Sequence, residues 1–358
     1  MNIPETIGPV TKLTKSSDIL GKGTYGCVIP KVLKCNKNRD ELIKKGTTQV
    51  SKLLLNKEDF YKEVNNTLFI NKYDNGKTSI KIDDTCIITK ENIVEILEQN
   101  DVDKRFLDKC GISFTKTEKI YQIIFNKKGI SLYDLISKED KMPLSKFMKL
   151  TFNLFKGIKL FSRLNFIHFD IKDDNIMYLP DDDKFIFIDF GLSKTYKILL
   201  SNRSLEYYSS SPRFYYPPEF IAFSDFYKKD KNDYDTLFKL FKYKYESELI
   251  EHNDYSIINN IVLYNYDNNY SKYLNELKKL FDSYYYSDDP YSVIKKTLSK
   301  IDIYSLGITL YRCINKYKIN NNYVLNIFKY IIFPCIVINP NNRISINKVI
   351  YLYGKNIL

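Results

Sequence analysis

The 358-residue sequence has no tryptophan, only two histidines and only twelve glycines. Its six cysteines form no CxxC pair and do not cluster with the histidines, which disfavours a zinc site; they lie at positions 27, 35, 86, 110, 313 and 335. No apolar run approaches the ~18–20 residues that a membrane span needs, and the first residues lack a basic-then-apolar leader. We therefore expect no membrane partner, a cytoplasmic location and reduced thiols.

The amino-acid composition is typical of a globular protein and has an excess of lysine. Hydrophobic residues make up 44% of the chain and aromatic residues 15%, enough for a sizeable core. The net charge of +12 comes mainly from lysines interleaved with Asn, Ile and Tyr along the whole chain. No compact arginine run or zinc finger accompanies them. We expect a monomer without a specific nucleic-acid partner.

The first third of the sequence reads as mainly β structure. SDILGKGTYGCVIP (17–30) resembles a hairpin turned by glycines, and TQVSKLLL (48–55) and EKIYQIIF (118–125) read as strands, as does the stretch around 79–89. Between them, residues 56–73 carry apolar residues on one helical stripe. These patterns predict a mainly β domain over 17–125, after a leader of 1–16.

The remainder reads as mainly helical. LSKFMKLTFNLFKGIKLFSRLNF (144–166) has apolar residues at helical spacing over more than five turns. Residues 223–299 are rich in Tyr, Asn, Asp and Lys, and we interpret them as a helical insertion, since a disordered tract would expose many aromatic side chains. The sequence thus predicts an α+β protein with two lobes, a connection at 126–128 and a mainly α lobe over 129–358.

The stretch GKGTYGCV carries a GxGxxG pattern. A dinucleotide-binding fold would need a helix directly after it, but the following CVIP continues as a strand to Pro30, so no helix can begin there. A hairpin whose glycines let backbone N–H groups approach phosphates fits better, although a plain glycine-rich hairpin has the same pattern. The candidate nucleotide-binding residues here are Gly21, Lys22, Gly23, Thr24, Tyr25, Gly26 and Val28.

The stretch HFDIKDDN (168–175) supplies the groups that phosphoryl transfer to a hydroxyl requires. That reaction needs a carboxylate to orient the hydroxyl and accept its proton, a cation near the moving phosphate, and an oxygen ligand for Mg²⁺. Asp170, Lys172 and Asn175 are of these three types. Asp189 begins DFG directly after the apolar strand KFIFI. A carboxylate buried there without a nearby cation would cost free energy, so Asp189 is a natural metal ligand.

These motifs, in this order, resemble those of the protein kinase superfamily. Their particular sequences resemble those of kinases from large nucleocytoplasmic DNA viruses. The resemblance extends over roughly residues 17–350 and includes GKGTYGCV, HFDIKDDN, IDFGLS, YPPEF (216–220), DIYSLG (302–307) and NPNNRIS (339–345). It implies a bilobal fold, with a mainly β small lobe, a hinge at 126–128 and a mainly α large lobe. It also implies ATP and Mg²⁺ as cofactors and Ser/Thr-containing proteins as substrates.

The resemblance also implies roles for single residues. Asp170 becomes the catalytic base and Lys172 the phosphate-stabilising cation, of the Ser/Thr kinase type, while Asn175 and Asp189 become Mg²⁺ ligands. Glu219 is expected to pair with Arg343. Asp302 is expected to accept hydrogen bonds from the backbone near His168, whose ring is expected to stack on Phe190.

The lysine of the small lobe has two candidates. We favour Lys52, because its strand is apolar and leads directly into an acidic helix; Lys44, in ELIKK, suits the usual distance from the glycine loop and remains a rival. Val50 shares the strand face of Lys52 and is expected to meet adenine. Glu63 is the expected partner of the lysine, with Glu58 left open.

The hinge is expected to begin after the bulky Phe125. Adenine would pair there with backbone groups of Asn126–Lys128, so Phe125, Asn126 and Lys128 complete the expected nucleotide site.

Two departures from the family pattern matter. The arginine that usually precedes the catalytic aspartate, and normally receives an activation-loop phosphate, is replaced by Phe169. We infer that activity does not wait for loop phosphorylation, although Ser201, Ser204 and Ser209–Ser211 are possible sites. The long gap between Glu219 and Asp302 locates the insertion near the substrate-facing side of the large lobe.

Three other functions compete with an active protein kinase. A pseudokinase acting as a scaffold or host-factor decoy would be indicated by loss of the base or a metal ligand, and all are present. Small-molecule phosphotransferases share the HxDxxxxN pattern, but the presence of YPPEF, DIYSLG and Arg343 argues against this function. A binding module on the Tyr/Asn-rich insertion could coexist with kinase activity.

Overall fold

A computed structural model describes residues 20–22, 26–30, 32–33, 49–93, 107, 110–112, 117–125, 129–138, 142–201, 213–226, 233–253, 256–317 and 321–357. The chain divides into two compact units. One comprises residues 1–61 and 82–128, and the other comprises residues 62–81 and 129–358. Most of the helix Lys57–Asp74, from Lys62 onward, thus groups with the larger unit, whereas the predicted small lobe included all of 17–125. The predicted lobe and hinge boundaries stay predictions.

The smaller unit contains a five-stranded antiparallel sheet in the order β1-β2-β3-β5-β4. Its strands are β1 Gly21–Lys22, β2 Gly26–Ile29, β3 Val50–Leu54, β4 Ile82–Thr89 and β5 Lys119–Phe125. The predicted strands at 48–55, 79–89 and 118–125 are confirmed. Apolar residues along β3 and β5 exclude water from both faces, which explains why these strands are central.

One face of this sheet covers an apolar core that includes Cys27, Leu53 and Ile120. A disulfide joins Cys27 to Cys110, with 5.5 Å between their Cα atoms. The expectation of reduced thiols is therefore wrong for this pair. The two cysteines are 83 residues apart in the sequence, and their spacing alone gave no sign that the fold brings them within bridging distance.

Helix α1, Lys57–Asp74, leads from the smaller unit into the larger one. The helix begins where Asn56 accepts hydrogen bonds from the backbone N–H groups of Glu58 and Asp59. After it ends, the buried Asp74 carboxylate accepts from the backbone and hydroxyl groups of Thr78 and Ser79, which fixes the turn. The predicted helix at 56–73 is confirmed.

From residue 129 onward the larger unit contains β6 Ile130–Ser131, α2 Leu132–Ser137 and α3 Leu144–Arg163. Apolar residues of α3 recur at helical spacing and are buried, as predicted from 144–166. Asn165 follows with φ at 49°, the left-handed conformation that ends many helices. The chain then forms β7 Phe166–Ile167, β8 Ile176–Leu179, β9 Lys184–Phe187, β10 Lys194–Thr195 and α4 Tyr196–Ser201.

These strands form two small sheets, β6-β8-β9 and β10-β7. Between β7 and β8 runs the segment 168–175, which ends in a single 3₁₀ turn, Asp173–Asn175. The sheets therefore hold both ends of this segment, and β9 delivers the chain directly to Asp189.

The predicted insertion is helical, as expected. It begins within α5 Pro218–Phe226 and continues through α6 Tyr234–Asn253, α7 Ser256–Asn265, α8 Tyr270–Tyr285, α9 Pro290–Lys295 and the 3₁₀ turn Leu298–Lys300. The chain ends with α10 Ile301–Asn315, α11 Asn322–Ile327, the π-helical segment Phe328–Ile332, α12 Phe333–Cys335 and α13 Ile346–Asn356. No helix in the described part of the chain is long and apolar enough to cross a membrane.

Candidate active site

The carboxylate of Asp170 is the best-connected group of the segment between β7 and β8. Its side chain is only 10% exposed. Asn175 Nδ2 donates to Asp170 Oδ2 at 2.6 Å and to the Asp170 backbone oxygen at 2.9 Å. Lys172 Nζ lies 3.9 Å from the same Oδ2. The three residues expected to act on the hydroxyl, the phosphate and the metal are thus adjacent in space.

The other oxygen of this carboxylate is held by two residues that the sequence analysis did not select. Arg213 Nη1 donates to Asp170 Oδ1 at 2.7 Å, and the Tyr215 hydroxyl donates to the same oxygen. Arg213 Nη1 also donates a hydrogen bond to the Tyr215 hydroxyl oxygen at 2.7 Å. Burial and then the neighbouring Asp170 carboxylate raise the pKa of Tyr215, so its hydroxyl stays protonated and remains a donor. The only sequence signal was their place just before YPPEF.

Asp189 lies beside the Asn175 segment at the end of β9. The Ile188 backbone N–H donates to the Asn175 backbone oxygen at 3.0 Å, which places Asp189, the next residue in the chain, close to Asn175 in space. Asp189 has φ at 61°, a left-handed conformation that turns its chain direction. Gly191 N–H donates to Asp189 Oδ1 at 3.3 Å.

The two expected metal ligands have the chemistry of an Mg²⁺ site. Both Asn175 amide hydrogen bonds go to Asp170, so its amide oxygen points away from that residue. A carboxylate oxygen from Asp189 and an amide oxygen from Asn175 are the donor types that Mg²⁺ binds, together with phosphate oxygens and water. No cluster of three or more His, Cys, Asp and Glu side chains suited to a metal occurs among the described residues.

Glu63 lies with the DFG segment inside the larger unit. Its side chain is buried, and its Oε2 lies 3.7 Å from the position that a Cβ atom on Gly191 would occupy. One turn later, Asn66 Nδ2 donates to the backbone oxygens of Phe190 and Ser193 at 2.9 and 2.8 Å. By contrast, Glu58 is exposed in the first turn of α1. Of the two candidate glutamates, Glu63 is the one close to DFG.

The expected hydrogen bonds from the catalytic segment to Asp302 are confirmed. Asp302, buried at the start of α10, accepts from the backbone N–H groups of His168 and Phe169 at 2.8 and 3.3 Å. The rings of His168 and Phe190 are in contact, with centroids 4.8 Å apart, but they are tilted by 47° rather than stacked as expected. Phe169 takes φ at 65° and packs its buried ring on Phe220, 5.4 Å between centroids. The residue in the arginine position is thus part of the core.

The pair Glu219–Arg343 is also confirmed. Arg343 Nη1 and Nη2 donate to Glu219 Oε1 and Oε2 at 2.6 and 2.8 Å, and both side chains are fully buried. Arg343 further donates to the backbone oxygens of Val337, Ile338 and Lys300. Such complete pairing is what allows two charges to remain inside a protein.

In the smaller unit, the register of the sheet aligns several of the expected nucleotide-binding residues. Val28 lies opposite Lys52, and Val50 lies opposite Phe125. Because side chains alternate along a strand, these four residues share one face of the sheet, the face opposite to the Cys27 and Leu53 core. This face offers an amine next to apolar side chains.

Gly26 and Gly21 differ in what requires them to be glycine. A Cβ atom on Gly26 would lie 2.2 Å from the Leu53 backbone oxygen, so the close approach of β3 requires glycine there. A Cβ on Gly21 would meet nothing within 4 Å. Gly21 and Lys22 pair with Val28 and Cys27 in the hairpin.

Six of the candidate residues named from the sequence lie outside the described residues: Gly23, Thr24, Tyr25, Lys44, Asn126 and Lys128.

A profile of the protein kinase domain matches residues 14–238, more than half of the chain. The chain therefore belongs to the protein kinase family, and its α+β fold with a mainly β unit and a mainly α unit is the bilobal fold of that family. It is also 29% identical over 103 residues to a probable serine/threonine-protein kinase, FPV212, of fowlpox virus (strain NVSL). That alignment covers 29% of this chain and 33% of the relative.

Proposed function

We propose that this protein is a serine/threonine protein kinase that transfers the γ-phosphate of ATP to hydroxyl groups of protein substrates. The observation that carries the proposal is the Asp170 carboxylate, held by the Asn175 amide, approached by Lys172 and adjacent to the DFG segment. The Ser/Thr preference is supported by Lys172, two residues after Asp170, and by the description of the fowlpox virus relative.

In this proposal each polar residue has one task. Asp170 orients the substrate hydroxyl and accepts its proton, and its buried hydrogen bonds keep it from rotating. Lys172 stabilises the negative charge that builds on the transferred phosphate. Asp302 and the His168–Phe190 contact hold the loop and the DFG segment without touching the substrate.

Asn175 and Asp189 are the residues proposed to hold Mg²⁺. When bound, the metal ion neutralises charge on the phosphates and helps orient them. The Ile188–Asn175 backbone hydrogen bond, which links the residue before Asp189 to Asn175, supports this pairing of ligands. The nucleotide base is proposed to meet Val28 and Val50, with Lys52 contacting phosphate oxygens and Glu63 as its partner.

The viral character of the protein, a location in the host cytoplasm or virion, and a monomeric state are parts of the same proposal. The viral assignment is supported by the fowlpox virus relative. Substrates are proposed to be proteins that carry Ser or Thr.

The test is phosphate transfer by purified protein with Mg²⁺-ATP to a basic protein or to itself. We expect Asp170→Ala and Asp189→Asn to lower the rate ~10³-fold or more, since each removes a group that acts in the transition state. Undiminished transfer by either variant contradicts the assignment.

In the same assay, Lys52→Met should abolish transfer and Lys44→Met should largely spare it; the reverse result would identify Lys44 as the phosphate-binding lysine.

A wild-type protein that binds ATP but transfers no phosphate would instead favour the scaffold function. In that case the residues around Asp170 would serve nucleotide binding alone.

A further inference from the structure

The Asp170 carboxylate receives two hydrogen bonds from the segment that precedes YPPEF, and these two donors have no task in the function proposed above. Both reach Oδ1: the Arg213 guanidinium at 2.7 Å and the Tyr215 hydroxyl. The Arg213 side chain is 35% exposed, whereas Tyr215 is buried. A charged and a neutral donor thus converge on one oxygen of the proposed base.

An ionised carboxylate has about four lone-pair directions, two on each oxygen. Arg213 and Tyr215 fill both directions on Oδ1, and Asn175 fills one on Oδ2. The remaining direction belongs to Oδ2, the oxygen that Lys172 Nζ approaches to 3.9 Å, too far for a hydrogen bond. The donors therefore leave open only the oxygen nearest the cation that is proposed to contact the transferred phosphate.

The segment that supplies the two donors is itself fastened to α10. Ser305 Oγ donates to the Tyr215 backbone oxygen at 2.8 Å. The Arg312 guanidinium lies 4.4 Å from the centre of the Phe214 ring, and Arg312 Nη1 lies 3.5 Å from Asp173 Oδ1. Because α10 also holds the catalytic loop through Asp302, the same helix fixes the carboxylate and its two donors.

The chain has an apolar residue where a phosphate-binding arginine would link this segment to the catalytic loop. Phe169 is fully buried against Phe220 and has no group that could bind a phosphate. The direct bonds from Arg213 and Tyr215 to Asp170 make that link instead, and neither bond includes a phosphate.

We propose that Arg213, assisted by Tyr215, is the positioning residue of the catalytic base: it locks Oδ1 of Asp170, presents Oδ2 to the substrate hydroxyl, and ties the two segments together without phosphorylation. This inference rests on the proposed kinase function and deepens it. Arg213 acts through Asp170 and does not touch the reacting atoms.

The experiment compares Arg213→Met, Arg213→Lys, Tyr215→Phe and the Arg213→Met/Tyr215→Phe double variant with wild type in a steady-state kinase assay. We expect Arg213→Met to lower kcat roughly 10–100-fold with little change in KM for ATP, because it disorients a reacting group and leaves nucleotide contacts intact. Arg213→Lys should lower kcat less than Arg213→Met does, since lysine keeps the positive charge but lacks the planar guanidinium with its paired N–H donors. The double variant should lose less than the product of the two single losses, because both donors act on one oxygen.

Chemical rescue separates positioning from a merely structural role. Adding methylguanidinium to Arg213→Ala protein should restore kcat in a saturable manner. Arg163→Met, at an exposed position near the end of α3, and Tyr243→Phe, at an exposed position on α6, are the matched controls and should keep wild-type kcat. Wild-type protein freed of phosphate by a phosphatase, as checked by intact mass, should also keep its kcat.

Each outcome is decisive. Equal or higher kcat in Arg213→Met, no rescue by methylguanidinium, or loss of wild-type activity on dephosphorylation overturns the positioning role while leaving the kinase assignment intact. An inactive wild type, or full activity in Asp170→Ala, overturns the proposed function itself and the positioning role with it.

Discussion

His168 illustrates at the scale of a single residue how burial decides a chemical role. The imidazole is fully buried, and each ring nitrogen has a partner. Nε2 lies 3.1 Å from the Ile188 backbone oxygen, and Nδ1 accepts from the Asp170 backbone N–H at 3.3 Å. These partners fit a neutral ring with its proton on Nε2, because a proton on Nδ1 would face another donor. A rare histidine beside a catalytic aspartate is thus a structural group.

We expect this burial to make the stability of the protein depend on pH. Burial lowers the pKa of His168 more than the carboxylates of Asp170 and Asp189 raise it, whereas the unfolded chain has a pKa of ~6.5. Between these two pKa values the unfolded chain binds more protons than the folded protein. The stability contributed by neutral His168 is therefore complete above pH ~6.5 and is lost as the pH falls below it.

The measurement is urea unfolding followed by circular dichroism, since the chain has no tryptophan to report by fluorescence. The free energy of unfolding of wild type should fall more between pH 7.5 and pH 5.5 than that of His168→Phe. A difference between the two proteins that does not change with pH would show that His168 does not titrate in this way.

Between elements, the Glu219–Arg343 pair connects α5 to the loop before α13. Removing one charge from a fully buried pair leaves the other without compensation, which typically costs ~3–5 kcal/mol. We expect Glu219→Gln to lower the free energy of unfolding by this amount. Glu251→Gln, at an exposed position on α6, is the matched control and should change stability by less than ~0.5 kcal/mol. A Glu219→Gln protein as stable as the control would contradict this account of the pair.

The sequence predicted elements well where one periodicity was strong. The long apolar stripe of α3 and the short apolar runs of β3 and β5 left few alternatives, because α3 buries one apolar face along its length and the two strands are buried on both faces. The Glu219–Arg343 pair and the Asp302 contacts were also predictable, because their motifs were present in the family order.

Contacts that depend on the path of a loop were not predictable. Nothing in the spacing of Cys27 and Cys110 distinguished this pair from the other cysteine pairs, since only the folded sheet brings them together. Arg213 and Tyr215 were missed for a similar reason. Their local sequence, SPRFYYPP, has no pattern that pairs it with Asp170, and their bonds to Asp170 span more than 40 residues of chain.

For the whole molecule, the helices of the insertion matter because they complete the core of the larger unit. Tyr245 on α6 shares a hydrogen bond of 3.0 Å with Tyr304 of α10, and Asn260 on α7 donates to Tyr311 of α10 at 2.9 Å. The ring of Tyr264 stacks on Phe333, with centroids 4.4 Å apart. The insertion therefore covers the helix that carries Asp302, rather than only extending the surface.

We expect the larger unit to lose its fold when residues 233–287 are replaced by a short Gly/Ser linker. The replacement would expose the buried faces of α10, including Tyr304 and Tyr311, and exposed apolar area of this kind causes aggregation. The excised protein should show no cooperative unfolding by circular dichroism and no phosphate transfer. Tyr243→Ala, which changes only an exposed side chain of α6, should unfold like wild type. If the excised protein keeps both cooperative unfolding and Asp170-dependent transfer, the insertion is dispensable for the fold, and its tyrosines are available for a separate binding role.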